Sequence, residues 1–205
     1  MENTSDKLPD YIPEQVRGKQ SDVVRSDCYT SEDQARRAFR QSRAHMLAVN
    51  DWNRLAQKAA PGRTLAGANP FFPDFSLVDK PEDSAQHGDV IEMAAGGQCM
   101  YVLIEQLIEQ ADEFAIRVRT CDHQGHDTEA EHMYTSAATN TFRLSRQGLT
   151  VTTGFHGRNE IVNQGLFNRL VDLAMALGGR DFSWTLLGDA WRPDPEALAK
   201  SSLAE

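Results

Sequence analysis

The apolar residues of this chain change period twice, and that change limits the folds open to it. Between residues 31 and 60 they recur at helical spacing, from Phe75 to His156 they alternate, and beyond Asn163 the helical spacing returns. Ala35, Ala38, Phe39, Ser42, Met46 and Val49 share one helical face, behind Ser31-Glu32-Asp33-Gln34, which has the spacing of a capping box. Asn50-Asp51 reads as a second cap ahead of Trp52 and Leu55, and Pro61-Gly62 as the stop. Strands are predicted at 75–79, 89–93, 100–108, 114–119, 139–145 and 149–156, the last two joined across Arg146-Gln147-Gly148. Leu166, Phe167, Leu170, Val171, Ala174 and Leu177 form a closing helical stripe that ends at Gly178-Gly179. Ser183 then caps a short helix carrying Trp184, Leu187 and Trp191. Helices, then strands on short loops, then helices again: that order predicts an α+β chain with an antiparallel sheet.

With 205 residues, 40% of them hydrophobic, the chain has enough apolar surface for one core. No run of about 18 apolar residues is present, so no membrane span is expected. Met1-Glu2-Asn3-Thr4-Ser5-Asp6 lacks the basic and apolar regions of a signal peptide, and a cytoplasmic location is expected. Cys28, Cys99 and Cys121 are odd in number and widely spaced, which suits a reducing compartment. A net charge of −9 argues against a nucleic-acid partner. The partners left are a small molecule or a protein, a second copy of the chain included. Residues 1–30 are polar and read as an arm, 31–192 as a single domain, and 193–205 as a tail begun by Pro193 and Pro195.

The familiar nucleotide, hydrolase and zinc-protease signatures are missing, and no cofactor is expected. The densest chemistry lies between Cys121 and His132, where Cys121, His123, His126 and His132 are of the types that ligate zinc. Their spacing matches no closed site, and a solvated loop between strands satisfies the same letters, so no metal is expected. A second group, His156-Gly157-Arg158-Asn159-Glu160, ends the last strand. His156 and Glu160 would serve as an acid–base pair and Arg158 as an anion clamp. Alternatively, Arg158 and Glu160 pin the strand's exit to the closing helix by charge-assisted hydrogen bonds. Strand parity supplies a third feature. If Phe114, Ile116, Val118, Phe142, Leu144, Leu149, Val151 and Phe155 face the core, then Arg117, Arg119, Thr141, Arg143, Thr150, Thr152 and His156 share the other face, which Arg158 would extend. That face would receive an anionic ligand or partner, or be an ordinary wet sheet surface.

Several segments are familiar as a set: Trp52; Phe75-Ser76-Leu77-Val78-Asp79; Gly88-Asp89; Tyr101-Val102-Leu103-Ile104-Glu105; Ile116-Arg117-Val118-Arg119; Thr135 to Phe142; and the pentad from His156 to Glu160 with Asn163. Together they resemble an uncharacterised bacterial family that carries an A-T-[SN]-T-F segment ahead of H-G-R-N-E. The likeness runs from about Trp52 to Trp191, and the pentad is its most specific part. Tyr101, Met133 and Val162 depart from the pattern, which has Trp, an aromatic residue and Pro there. The resemblance implies no activity, but it directs attention to 156–160.

The expected architecture is a curved antiparallel sheet of about six strands with helices before and after it. It is similar to the START-like, helix-grip arrangement; the alternative is a partly open small β-barrel with flanking helices. The leading expectation for function is a non-enzymatic binding or interaction module for a small ligand or protein. Its candidate contacts are His156, Arg158, Asn159, Glu160, Arg117, Arg119 and Arg143. The alternatives are an enzyme using His156, Arg158 and Glu160 on an anionic substrate, and a structural or assembly subunit.

Overall fold

A computed structural model of the chain describes residues 8–60, 72–81, 84–95, 98–126, 138–160 and 180–201. Seven strands form one antiparallel sheet, curled into a half-barrel, in the order β1-β7-β6-β5-β4-β3-β2. They are β1 (Lys19–Cys28), β2 (Asp74–Leu77), β3 (Val90–Ala95), β4 (Gln98–Glu109), β5 (Glu113–Cys121), β6 (Thr139–Gln147) and β7 (Thr150–Glu160). Between β1 and β2 come α1 (Glu32–Leu47), a 3-10 turn (Val49–Asp51) and α2 (Trp52–Ala59); α3 (Arg180–Trp191) and α4 (Pro195–Ser201) follow the sheet. The fold is α+β, with helices before and after a curved antiparallel sheet.

The seventh strand is β1, which lies in the stretch that reads from sequence as a polar arm. It pairs with β7 from Lys19↔Glu160 to Cys28↔Thr150. Composition hid it because it is an edge strand. Val23 and Val24 are its only aliphatic residues, and charged side chains on an edge discourage pairing with foreign chains. β1 and β2 succeed one another among the strands yet stand at opposite edges, so α1 and α2 carry the chain back across one face of the sheet.

Local chemistry explains the helices. The Ser31 hydroxyl accepts from the Gln34 N–H at 3.2 Å, as the capping box predicts. Gln34 reaches one residue further back than expected, and its Oε1 accepts from the Thr30 N–H and hydroxyl. Ala35, Ala38, Phe39, Ser42 and Met46 are all buried. Asp51 precedes α2 but makes no side-chain capping bond. Asn50 and Asn53 instead accept from the backbone N–H groups of Leu77 and Phe75, each at 2.8 Å, which ties the α1–α2 segment to the short edge strand β2. The chain does not lose order at Pro193 and Pro195: Pro195 opens α4 at a position where its missing N–H costs nothing, and Asp194 Oδ1 accepts from the Glu196 N–H. The stripe 166–177 and Gly178-Gly179 lie outside the described residues.

The β6–β7 hairpin is tighter than expected. Gln147 pairs with Thr150, so the connection is two residues, Gly148-Leu149, with Gly148 at φ +58°. A glycine with positive φ at the first central position is what a type II′ turn requires. Leu149 therefore sits at the tip, 41% exposed, and is no part of the core. The other expected inner residues, Phe114, Ile116, Val118, Phe142, Leu144, Val151 and Phe155, are all buried.

The core is aromatic where sheet meets helices. Trp52 packs edge-on against Phe75 and Phe142 and tilts against Trp191 at 5.0 Å. Its indole N–H donates to the carbonyls of His45 and Met46 near the end of α1. Trp184 stacks on Phe155 at 4.4 Å and 12°. Such ring pairs contribute roughly 0.5–1.5 kcal/mol each beyond the area they bury. Trp184 and Trp191 are thus core residues of α3.

Candidate functional site

β7 separates two clusters of chemistry, because alternate residues of a strand face opposite ways. Val151, Thr153 and Phe155 face the helices. Gly154, His156 and Arg158 face outward, and His156 and Arg158 are nevertheless 2% exposed.

On the inner side, α3 lies against β1 and β7. The Gly188 carbonyl accepts from the Thr153 hydroxyl at 3.1 Å and from Arg192 Nη1 at 2.8 Å. Arg192 also donates to Thr153, to Asp27 Oδ2 on β1 at 2.6 Å and to Asp189 Oδ1 at 2.9 Å. One guanidinium therefore joins α3 to two strands. Beside this clamp is a crevice lined by Val23 and Arg25 of β1, Phe142 of β6, Thr153 and Phe155 of β7, and Trp184, Gly188 and Trp191 of α3. The crevice has room for about one water. The indole N–H groups of Trp184 and Trp191 are buried and have no hydrogen-bond partner among the described residues.

On the outer side, Asp22 of β1 organises the pentad. Its Oδ1 accepts from His156 Nδ1 at 2.6 Å and from Arg158 Nη2 at 2.8 Å, and its Oδ2 accepts from Gln20. Arg158 Nη1 donates to the carbonyls of Gly157 and Ser21. Beyond its own strand, the described partners of Arg158, Ser21 and Asp22, stand on β1, a strand absent from the sequence reading; the closing helical stripe to which the sequence reading tied Arg158 lies outside the described residues. Burial pushes the Asp22 carboxyl up, and the hydrogen bonds from Gln20, Arg158 and His156 outweigh it, leaving Asp22 below its usual range. Burial lowers His156, and the pairing with Asp22 does not restore it. His156 is therefore neutral at pH 7, with its proton on Nδ1. Its Nε2 and the Thr141 hydroxyl opposite are buried without hydrogen-bond partners among the described residues.

The arginines of the outer face are charge-matched. Arg117 Nε and Arg119 Nη2 meet Glu105 at 2.5 and 2.9 Å, and Arg143 Nε meets Glu113 at 2.6 Å. Glu105 reaches them because β4 carries a bulge between Ile104 and Gln106, which turns an extra side chain onto this face. Residues 8–18 lie over the same face: Tyr11 bonds to Glu113 and Arg143, and Asn159 bonds to the backbone of Glu14, Val16 and Arg17. Glu160 is buried at the end of β7, opposite Lys19.

The cysteine–histidine stretch is dispersed. Cys121 is buried, and burial pushes its thiol up to about 12. His123 packs edge-on against Tyr101, and His126 is exposed beside Asp122, whose Oδ1 accepts the backbone N–H groups of Gln124 and His126. His132 lies outside the described residues. Among the described residues no group of three or more His, Cys, Asp or Glu side chains is placed to hold a metal ion.

Sequence reasoning missed Asp22, Tyr11 and Arg192. The signal for Asp22 was register: once 19–28 is a strand beside β7, Asp22 stands opposite His156. Nothing local in the sequence marks Tyr11 or Arg192.

No family model matches the sequence, and no curated protein matches it. Solved structures of similar shape include a hypothetical protein, jhp0584, from Helicobacter pylori, 10% identical, with a TM-score of 0.48 over 84% of this chain and 88% of that one. Protein Ms6760 from Mycobacterium smegmatis is 10% identical, with a TM-score of 0.40 over 88% and 92%. Norcoclaurine synthase from Thalictrum flavum, solved with dopamine and hydroxybenzaldehyde, is 9% identical, with a TM-score of 0.37 over 85% and 94%. Likenesses this distant carry no argument about ligand or chemistry. Among the described residues no helix is long and apolar enough to cross a membrane.

Proposed function

We propose that this protein is a non-enzymatic binding module whose small ligand enters between α3 and the β1–β7 edge of the sheet. One observation carries the reading: Trp184 and Trp191 line the same crevice, and both have buried indole N–H groups with no hydrogen-bond partner among the described residues. An unmet buried donor costs about 1–3 kcal/mol, so two together mark a place where an acceptor from outside is stabilising. Arg25 and Thr153 on the lining add polar contacts, and the ring faces favour a flat apolar body. The ligand class is therefore a small, flat molecule carrying a carboxylate or carbonyl. The crevice has room for about one water, so binding a larger molecule is coupled to a displacement of α3.

The indole N–H resonances report on this directly. In a 15N-labelled protein titrated with benzoate, 4-hydroxybenzoate and nicotinate, the resonances of Trp184 and Trp191 should move saturably. Trp52, whose N–H is already bonded to His45 and Met46, should not move. Failure of all three probes to move either resonance would remove the basis for the reading.

One observation favours the enzymatic reading: Asp22 holds His156 in the tautomer with a bare Nε2, as a general base requires. That atom is buried, however, and the outer face carries the chain's own residues 8–18, so the binding reading stands ahead of it.

A further inference from the structure

Residues 8–18 form a strap across the outer face, and the way it is fastened is unlike the rest of the fold. Asn159 holds one end. Its Oδ1 accepts from the Val16 and Arg17 N–H groups at 2.8 and 3.2 Å, its Nδ2 donates to the Glu14 carbonyl, and its own N–H donates to Gln15 Oε1. Asn159 adopts φ +56°, a left-handed conformation that asparagine tolerates better than most residues. Tyr11 holds the other end: its hydroxyl bonds to Glu113 and Arg143, and its carbonyl accepts from Arg117. Ile12 is buried, while Leu8 is 38% and Val16 80% exposed. A segment held by polar bonds and one buried aliphatic side chain is of the kind that opens without the core.

We propose that this strap is an exchange arm: the strap of one copy docks on the outer face of a second copy, and the two copies reciprocate. The second copy is the partner because the face already accepts this segment. An identical strap makes the identical bonds in trans, which is the condition for exchange of an element between protomers at low cost. Gly18, at φ +72° between the strap and β1, is the hinge. Within one chain the tether holds the strap near its face at an effective concentration of roughly millimolar, so the closed form prevails in dilute solution and exchange grows with protein concentration.

Two full-length variants test this by complementation. Ile12→Asp spoils the strap and leaves the face intact. Asn159→Gly spoils the face, keeps the left-handed backbone permissible and leaves the strap intact. Each alone should sediment as a single chain, and an equimolar mixture should give a species of twice that mass, since one competent strap then meets one competent face. A mixture that sediments as the sum of its parts overturns the proposal. Native-state hydrogen exchange on the unaltered protein decides the matter even if a variant fails to fold. The Val16 and Arg17 amides should exchange through an opening that leaves Val23 and Phe155 protected. Exchange of all four in one global step would mean that the strap does not leave its face, and the proposal fails.

Discussion

Gly154 occupies the point where the outer network is tightest, and changing it to alanine tests the geometry of that network. A Cβ built on Gly154 would stand 2.8 Å from His156 Nε2, closer than real Cβ atoms come to other heavy atoms. The imidazole has little freedom to yield, because it is buried and its Nδ1 is bonded to Asp22 at 2.6 Å. Gly154→Ala must therefore break the Asp22–His156 bond or shift β7. Overpacking of this kind costs about 1–3 kcal/mol. Removing a glycine from a strand interior returns roughly 0.5–1 kcal/mol, so the net loss should be about 1–2 kcal/mol. In a His156→Ala background the obstacle is gone, and the same change should be neutral or stabilising by up to about 1 kcal/mol. The two positions should thus couple by about 1–3 kcal/mol in a double-mutant cycle. Urea unfolding of the four proteins at neutral pH measures this, provided their m-values agree. If Gly154→Ala costs the same with and without His156, the imidazole does not lie over Gly154 and the reasoning is refuted.

Two further outcomes follow from the same network. Arg158→Met leaves the carbonyls of Gly157 and Ser21 and the carboxylate of Asp22 without their donor; with Asp22 about a third exposed and able to rehydrate, the loss should be about 2–4 kcal/mol, against under about 1 kcal/mol for Arg119→Ala at a half-open pair. Equal midpoints for the two variants in thermal unfolding would contradict that ranking. The pH dependence should show two windows. His156 is harder to protonate folded than unfolded, so the unfolded state takes up its proton first, and stability should decline as pH falls below the unfolded value near 6.5. Asp22 is held below its unfolded value of 3.8, so its contribution is present above that value and lost as pH falls further. Urea midpoints across this range for the parent and His156→Gln should differ in the upper window, and a parent with a flat profile there would show that His156 carries no such linkage.

Legibility in the sequence followed the physical source of each element. The inner strands announced themselves because a face packed against helices needs an unbroken apolar alternation, as in Phe114, Ile116 and Val118. β1 did not, because an edge strand obtains its partner through backbone hydrogen bonds, and these leave no mark on side-chain type. Leu149 lies at the hairpin tip and not in the core for a related reason. A two-residue and a three-residue hairpin differ by one position in register, and the choice rested on the backbone angle of Gly148, which composition does not display. The pentad 156–160 was recognisable as a place of concentrated chemistry, yet its partners were not. Asp22 lies 134 residues from His156 and Tyr11 lies 132 from Arg143, so only the completed topology brings them together.

The course of β7 explains why that pentad is both polar and buried. An antiparallel sheet with one face on helices ordinarily leaves its other face to water, and polar side chains there carry no cost. From Thr153 to Arg158 β7 is closed on both sides, by α3 on one and by the β1 network and the strap's face on the other. Polar groups on its outer side must then find partners within the protein: Asp22, Ser21 and Gly157 serve His156 Nδ1 and Arg158, while His156 Nε2 and the Thr141 hydroxyl have none among the described residues. The same argument separates the two faces in function. Outer groups that are already bonded gain little from a ligand, whereas on the inner side the indole donors of Trp184 and Trp191, unmet among the described residues, belong to residues that line a crevice. The outer face contributes instead through the strap, because the bonds it makes to residues 8–18 are available, unchanged, to the same residues of another copy.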